Sequence, residues 1–482
     1  MPDEQINRRR FLQAAGASTL LAGAAGNSNL SAGQAAEPEC CARPARGMVE
    51  HMGDPAFVRL ITLDPAHFHA ALVQKQMLPG IAQRVSIYAP LGPDLLAHLK
   101  LIEQFNSRPD NPTRWELDIH CSPRSLEDTI AARPGNVVVL AGRNRIKIGK
   151  INASLEAGLN VLSDKPWIIR AQDFSALDAA LSLADQKGLV AFDMMTERHE
   201  ITSILQRELV NDPAVFGAMI PADPEHPGVF MESTHHILKT VAGAPNPRPP
   251  FFFDILDEGE GLTDVGTHLV DLVQWTLFPD QAINYRQDIQ VQGGKRWATP
   301  ITAAQFKQVT GASTFPAELA AYVHGDQFDY YCNNQVDYKI RGAQVQLKVL
   351  WKWESPAGVD FHHAIYRGTH ASVEVDQKVQ DNYRPELLVT PNGAERHAAV
   401  AAAVRAHIER LQGTYPGVGV EAAGDGLHIT IPDRYRVGHE AHFSQVVQEF
   451  LKYLQSPKSL PAWERPNMLA KYFVTTTGVQ MG

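Results

Sequence analysis

Cysteine is scarce in this chain of 482 residues: there are four, and two of them, Cys40 and Cys41, are adjacent. With no metal-ligand spacing among them, neither a zinc module nor a disulfide scaffold is the basis of the fold. Cys121 and Cys332 are expected as buried thiols. Charge of one sign is equally sparse: the net charge is −9, 20% of residues are charged, and no long basic run occurs. The chain therefore lacks an electrostatic footprint for nucleic acid or an anionic membrane. No apolar stretch reaches the roughly 20 residues of a membrane span, and no internal repeat marks a solenoid. What remains is a globular composition, 44% hydrophobic, long enough for two domains that each bury a core.

The first residues do not read as fold. Asn7-Arg8-Arg9-Arg10-Phe11-Leu12 is basic and is followed by an uncharged Ala/Gly/Leu-rich stretch to Gly26, the pattern of a secretory signal. The paired arginines before Phe11-Leu12 resemble the twin-arginine export signal. The expected organisation is a signal over 1–36, a linker over 37–55, a first domain over 56–211 and a second over 212–482. The mature chain is expected to be exported, periplasmic or extracellular, without a membrane span.

From Phe57 onward, short apolar runs alternate with helical periodicity. A strand over 57–63 leads to a helix through Phe68, Ala71 and Leu72, and a strand over 84–89 leads to a helix capped by Asp94. Strands over 136–141, 160–163 and 189–193 alternate with helices over 148–156 and 173–187, and a last helix begins near His199. Such alternation argues for a parallel sheet covered on both faces. Beyond the Pro-rich stretch 245–250, Val345, Leu347, Val349, Trp351 and Trp353 alternate with mostly polar neighbours, the mark of an antiparallel or mixed sheet with one solvated side. Phe443, Val446, Val447, Phe450 and Leu451 share a helical face, so a carboxyl-terminal helix is expected to pack back on this second domain.

Two segments carry candidate chemistry. A helix from about Thr263 puts Asp264, His268 and Asp271 on one face and Val265, Leu269, Leu272 and Val273 on an apolar stripe. A carboxylate beside an imidazole holds its tautomer and raises its pKa, which suits proton transfer; the plainer reading is a helix-capping Asp264 and a core His268. In Val161-Leu162-Ser163-Asp164-Lys165-Pro166-Trp167, Lys165 stands just beyond a parallel strand, where ligands of open sheets bind. An ammonium there can stabilise developing negative charge; its plainer reading is a surface lysine before a turn. His67 and His69 after the first strand, and His235, His236 and Lys239 before the Pro-rich stretch, are further candidates for ligand contact, as are Glu197 and Arg198 after a strand end. No pair of these shows dependable metal-ligand spacing, so no metal site is expected.

Together these segments resemble the glucose-fructose oxidoreductase/inositol dehydrogenase/rhizopine-catabolism family. Asp164-Lys165-Pro166 is similar to its Glu-Lys-Pro motif, and 259–271 to its Gly-Gly-Gly…Asp-x-Gly-x-His-x-x-Asp motif. The stretch 138–163 looks like its third and fourth strands, and 365–375 like its late strand-turn-strand. The resemblance covers about 57–475 and implies an α/β fold: a Rossmann-like nucleotide-binding domain, then an α+β domain with a large open, mostly antiparallel sheet. It implies hydride chemistry on a small carbohydrate or polyol with NAD or NADP, and a homo-oligomer. Lys165 and His268 match the family's catalytic residues and Asp264 its substrate-binding aspartate, with His235, His236, Lys239, Arg198 and Asp271 expected around the substrate.

The departures lie at the cofactor. Leu63, Pro65 and Phe68 stand where the family has three glycines, whose role is a tight turn and close backbone approach to pyrophosphate. Tyr88-Ala89-Pro90 lacks the acidic residue that grips a ribose. The residues left to meet a cofactor are Asp64, His67, His69, Gly142, Arg143 and Lys165, with Arg143 expected to pair with a phosphate. Two rivals follow: a lyase or glycosidase acting on keto sugars without a net hydride, and a non-catalytic carbohydrate-binding protein.

Overall fold

The computed structural model describes residues 58–241, 244–245, 247–355, 358–377 and 383–482. The signal over 1–36, the linker over 37–55, and Cys40 and Cys41 lie outside the described residues.

Leu60–Leu63 (β1), Arg84–Ala89 (β2), Glu116–Cys121 (β3), Val137–Leu140 (β4), Asn160–Ser163 (β5) and Ala191–Asp193 (β6) form a six-stranded sheet in the order β3-β2-β1-β4-β5-β6. Every pairing in it is parallel. His69–Leu72 (α1), Pro93–Ser107 (α2), Ser125–Ala132 (α3), Asn144–Glu156 (α4) and Phe174–Lys187 (α5) alternate with the strands, and Ile201–Val210 (α6) leads out. All four residues of β1 and of β4 are buried, as crossover helices on both faces require. The strand order reverses between β1 and β4, the switch point at which such sheets open a crevice.

The unanticipated pair is β3 and α3. β3 lies at the sheet edge with no buried residue, so it carries no apolar run to read, and the strand over 136–141 is the fourth rather than the third. α1 is a single turn rather than the helix expected through Phe68. Asp94 does not cap α2: Gly92 occupies the cap position, and the Asp94 carboxylate accepts from Arg143 at 2.9 Å. Both described cysteines are free thiols, with Cys332 buried as expected but Cys121 exposed.

The second sheet starts with Val229–Leu238 (β7), followed by the hairpin Thr240–Val241 (β8) and Ala244–Pro245 (β9), then Gly261–Asp264 (α7) and Gly266–Leu277 (α8). Next come Ile289–Thr302 (β10), Ala303–Thr310 (α9), Val323–His324 (β11), Gln327–Ile340 (β12), Ala343–Glu354 (β13), Phe361–Arg367 (β14) and Ala371–Asp376 (β15). Glu386–Pro391 (β16), His397–Leu411 (α10), Gly419–Ala423 (β17), Gly426–Thr430 (β18), His439–Gln455 (α11) and Glu464–Met481 (α12) complete the chain. The ten-stranded sheet runs β10-β12-β13-β7-β14-β15-β16-β18-β17, with β11 on β12. β13 and β7 pair in parallel, and the other pairings are antiparallel. Val345, Leu347, Val349 and Trp351 of β13 are buried as their alternation predicts.

The last two helices return to the first sheet. Phe443, Val446, Val447 and Phe450 of α11 join Val58, Leu60, Val85 and Ile87 in one core, while Met468, Leu469 and Tyr472 of α12 join Ile61, Leu63, Val138 and Val161 in another. The amphipathic face of α11 announces burial without naming its partner, and its expected packing on the second domain is corrected on that ground. No described helix is long and apolar enough to cross a membrane.

Candidate active site

β5 ends at Ser163, so Asp164 and Lys165 leave the first sheet at its carboxyl edge. Lys165 Nζ donates to Asp264 Oδ1 at 2.5 Å, joining that edge to the end of α7. His268 lies one turn further, near the start of α8. Gly261 makes the approach possible: a Cβ there would stand 2.2 Å from the Cys332 carbonyl oxygen and 2.8 Å from Val349 Cγ1. α7 thus lies hard against β12 and β13, and a side chain at 261 would push Asp264 away from Lys165. Val265, Leu269, Leu272 and Val273 are buried, as the apolar stripe requires.

The electrostatics differ from the expectation for His268. Burial, followed by the charge of Lys165, holds its imidazole well below the usual range, so it is neutral. Its Nδ1 is buried with no hydrogen-bond partner. Asp264 serves Lys165 instead: burial raises its carboxyl, but Lys165 and more distant His67 and His235 bring it below the ordinary value. Glu197 is pushed up to about 7 by burial and by Glu200, against the pull of Lys165.

Two further charged groups have no counterpart in the sequence reading. Glu258 is pushed up to about 8, by burial first, with Lys147 opposing and Asp264, Asp164 and Asp257 reinforcing; Asn144 Nδ2 donates to its Oε2 at 2.6 Å. Lys147, fully buried in α4, donates to Asp164 Oδ1 at 2.5 Å and to the Asp164 carbonyl at 3.1 Å. The signal for Lys147 was present. Asn144 and Lys147 share the buried face of α4 with Ile148, Ile151 and Leu155, and a lysine on an apolar stripe needs a partner. His69 Nδ1 lies 3.2 Å and His67 Nδ1 3.4 Å from Asp164 Oδ2.

The expected substrate residues separate into two groups. His235 Nδ1 lies 3.0 Å and Lys239 Nζ 2.5 Å from the Asp360 carboxylate. The His235 ring sits 4.9 Å from that of Trp351, and Arg248 lies 4.5 Å above Phe252 and 5.2 Å from Trp351, an aromatic and cationic wall in electrostatic range of Asp264. His236 is fully buried with its backbone N–H on Asp360, so its expected substrate contact is corrected. Arg198 and Asp271 are corrected as well. Arg198 donates to Asp271 at 2.6 and 2.7 Å and to Glu464 at 2.6 Å, and Lys471 bridges Asp193 at 3.0 Å and Asp271 at 3.5 Å. These groups satisfy one another and tie α8 and α12 to the end of β6.

The cofactor positions are likewise occupied by the protein. A dinucleotide is ordinarily held by free backbone N–H groups of a glycine turn and by the helix that follows. Here the N–H groups of Ala66 and His67 both donate to the Ala141 carbonyl, at 3.1 and 3.2 Å, and that of Asp64 donates to Tyr88 at 2.9 Å. Gly142, at φ +93°, permits the contact, since a Cβ would stand 2.8 Å from His67 N. Asp64 accepts from Lys150 at 2.6 Å, and Arg143 donates to Asp94 and Asp257 at 2.9 and 3.2 Å rather than waiting for a phosphate. The residues present do not fit a pyrophosphate held in the usual way. A crevice of about 520 Å³ remains beside them, lined by Pro65, Ala89, Ser125, Arg143 and Ile146.

Residues 205–482, more than half of the chain, match the family described as "Putative oxidoreductase C terminal domain". A crystal structure titled as a "putative oxidoreductase" from Parabacteroides merdae is 45% identical, covers 89% of this chain and 98% of its own, and superposes with a TM-score of 0.86. At 11% identity, the 3-ketoreductase KijD10 from Actinomadura kijaniata, solved with NADP and TDP-benzene, covers 86% of this chain and 95% of its own with a TM-score of 0.51. GenD2 from gentamicin A biosynthesis, solved with NAD, is 16% identical, covers 92% and 97%, and has a TM-score of 0.52. No curated protein matches the sequence. Fold and site together define a two-sheet oxidoreductase scaffold with its polar site at the carboxyl edge of the parallel sheet. The chain belongs to the glucose-fructose oxidoreductase/inositol dehydrogenase/rhizopine-catabolism family.

Proposed function

We propose that the chain acts on a sugar or polyol and that Lys165, Asp264 and His268 are its acid–base machinery. The observation that carries this reading is the Lys165–Asp264 pair, 2.5 Å long, beside a neutral buried imidazole. The closed loop of Ala66 and His67 favours a reaction in which a proton moves without a hydride. On a sugar already oxidised to a ketone, His268 takes the proton from the carbon beside the carbonyl. The electron pair moves onto the carbonyl oxygen, where the Lys165 ammonium stabilises it. Glu197, titrating at about 7, can return the proton or protonate a leaving oxygen. His235 and Lys239, backed by the buried Trp351 ring, form the wall against which the sugar lies. Purified protein incubated with 3-keto glycosides and no added nicotinamide is expected to yield product by mass spectrometry. A strict requirement for NAD or NADP sinks the reading.

A second reading keeps the hydride. It is favoured by the crevice of about 520 Å³ at the β1/β4 switch point and by the nucleotides in the two distant structural neighbours. Native mass spectrometry separates the two, because this reading requires a dinucleotide mass on the purified protein. The same spectrum reads the expected homo-oligomer. Export to an extracytoplasmic space is part of the proposal and rests on Arg8-Arg9-Arg10 and the apolar stretch behind them. Cell fractionation of the wild type against R8K/R9K tests it, with retention of the variant inside the cell expected.

A further inference from the structure

We propose that His67, His69 and Asp164 bind one divalent transition-metal ion, zinc fitting best, at the carboxyl edge of the first sheet. For what the ion does, the proposal rests on the acid–base reading above; for whether it binds, it does not. One nitrogen or oxygen from each of the three residues lies within 4.8 Å of the others. The measured edges are 3.4 Å from His67 Nδ1 and 3.2 Å from His69 Nδ1 to the same Asp164 Oδ2. Ligands held about 2.0–2.1 Å from a tetrahedral zinc stand about 3.3 Å apart, so an ion enters this triangle with little movement. His67 Nδ1 is buried with no hydrogen-bond partner of good geometry, which leaves a lone pair for the ion.

The surroundings suit a metal ligand set. His69 is buried, and its Nδ1 faces Asp164 Oδ2 together with that of His67. Lys147 takes Asp164 Oδ1 and leaves Oδ2 facing the two rings, and ligating carboxylates are ordinarily hydrogen-bonded in this way. Glu258 lies in electrostatic range of Asp164. The His67 side chain is 36% exposed while those of His69 and Asp164 are buried, so the cluster lies just below the surface. The other such group among the described residues, His363, Glu374 and Asp376, is half-buried throughout and has no such enclosure. The loop explains the exchange of chemistry. Where a glycine turn presents amides to an anion, this loop spends those amides on Ala141 and presents two imidazoles, which suit a cation. Held by these three residues, an ion would supply Lewis-acid chemistry one residue along the chain from Lys165.

The test uses the whole protein, stripped with a chelator and titrated with Zn²⁺ by calorimetry, then with Co²⁺ for its visible absorption. One ion per chain is expected. H67A and H69Q should each bind at least about 100-fold more weakly, a larger loss than that for an outer-shell partner, while H226A on an exposed loop binds as wild type. Thermal melts identify folded variants, and H67A at the partly exposed position keeps the test alive if H69Q misfolds. Stripped wild-type protein that takes up no more Zn²⁺ than an H67A/H69Q double variant overturns the proposal. Metal uptake without turnover of a keto sugar leaves the site standing and removes the acid–base reading. Turnover by stripped protein that binds no metal does the reverse.

Discussion

Two corners of the same sheet edge have diverged to different degrees. At the end of β5, Lys165 reaches Asp264 across the junction with the second sheet, and motif and spacing resemble the family pattern. At the end of β1, Leu63, Pro65 and Phe68 stand where the family has glycines, and the N–H groups of Ala66 and His67 are bonded to Ala141. The first corner is the one proposed to handle a substrate proton; the second lacks the usual means of holding a pyrophosphate. A scaffold can keep one half of a site while the other half is rebuilt, because each half hangs from a different strand of a rigid sheet.

The largest test strikes the half of this contrast that resembles the family. In the proposed reading Lys165→Ala removes the cation beside the reacting oxygen, and a loss of about 10²–10⁴-fold in turnover is expected from steady-state kinetics, with circular dichroism checking that the variant is folded. An unchanged rate would move the chemistry away from this corner. Next is Arg198→Ala. It strands Asp271 and Glu464 in the interior, and denaturant titration should show about 3–5 kcal/mol of lost stability. A stable variant with a raised KM would return Arg198 to the substrate pocket.

Much of the first contrast was legible from residues alone. Lys165 is announced by its strand end, and Asp264 and His268 by helical spacing next to Gly259 and Gly261. Arg198 and Asp271 carry the same sequence signal as binding residues, a charged pair near a cleft, and only their mutual distance of 2.6 Å distinguishes a buried ion pair. His67 and His69 were visible as histidines near a crevice. Their convergence on Asp164 was not, since it depends on a contact between residues 95 positions apart. β3 was missed because an edge strand with no buried residue has no hydrophobic run, and α11 was misplaced because amphipathicity names a face without a partner.

The rebuilt corner has its own test in Gly142→Ala. At φ +93° a Cβ is strained, and it would also press within 2.8 Å of His67 N, so a loss of about 1–3 kcal/mol is expected by urea titration. Native-state hydrogen exchange should quicken at His67 as its bond to Ala141 loosens. A silent substitution would mean that the loop is not pinned there.

The smallest effect concerns Glu258, which lies near both corners and feels Asp164 and Asp264 alike. Its folded-state pKa is raised from 4.5 to about 8, so the folded protein holds a proton that the unfolded chain has released. The stability this contributes is fully present below about pH 4.5 and is lost as pH rises through about 8. Glu258→Gln keeps an acceptor for Asn144 and cannot ionise. Thermal melts from pH 5 to 9 should therefore fall more steeply for the wild type than for the variant, with a gap on the order of a few °C at the alkaline end. Filling the site of His67, His69 and Asp164 with Zn²⁺ would favour the ionised carboxylate and shrink that gap, whereas an ion bound elsewhere would leave it unchanged. Melting curves with and without metal thus report whether the rebuilt corner and the acid–base corner share one electrostatic field.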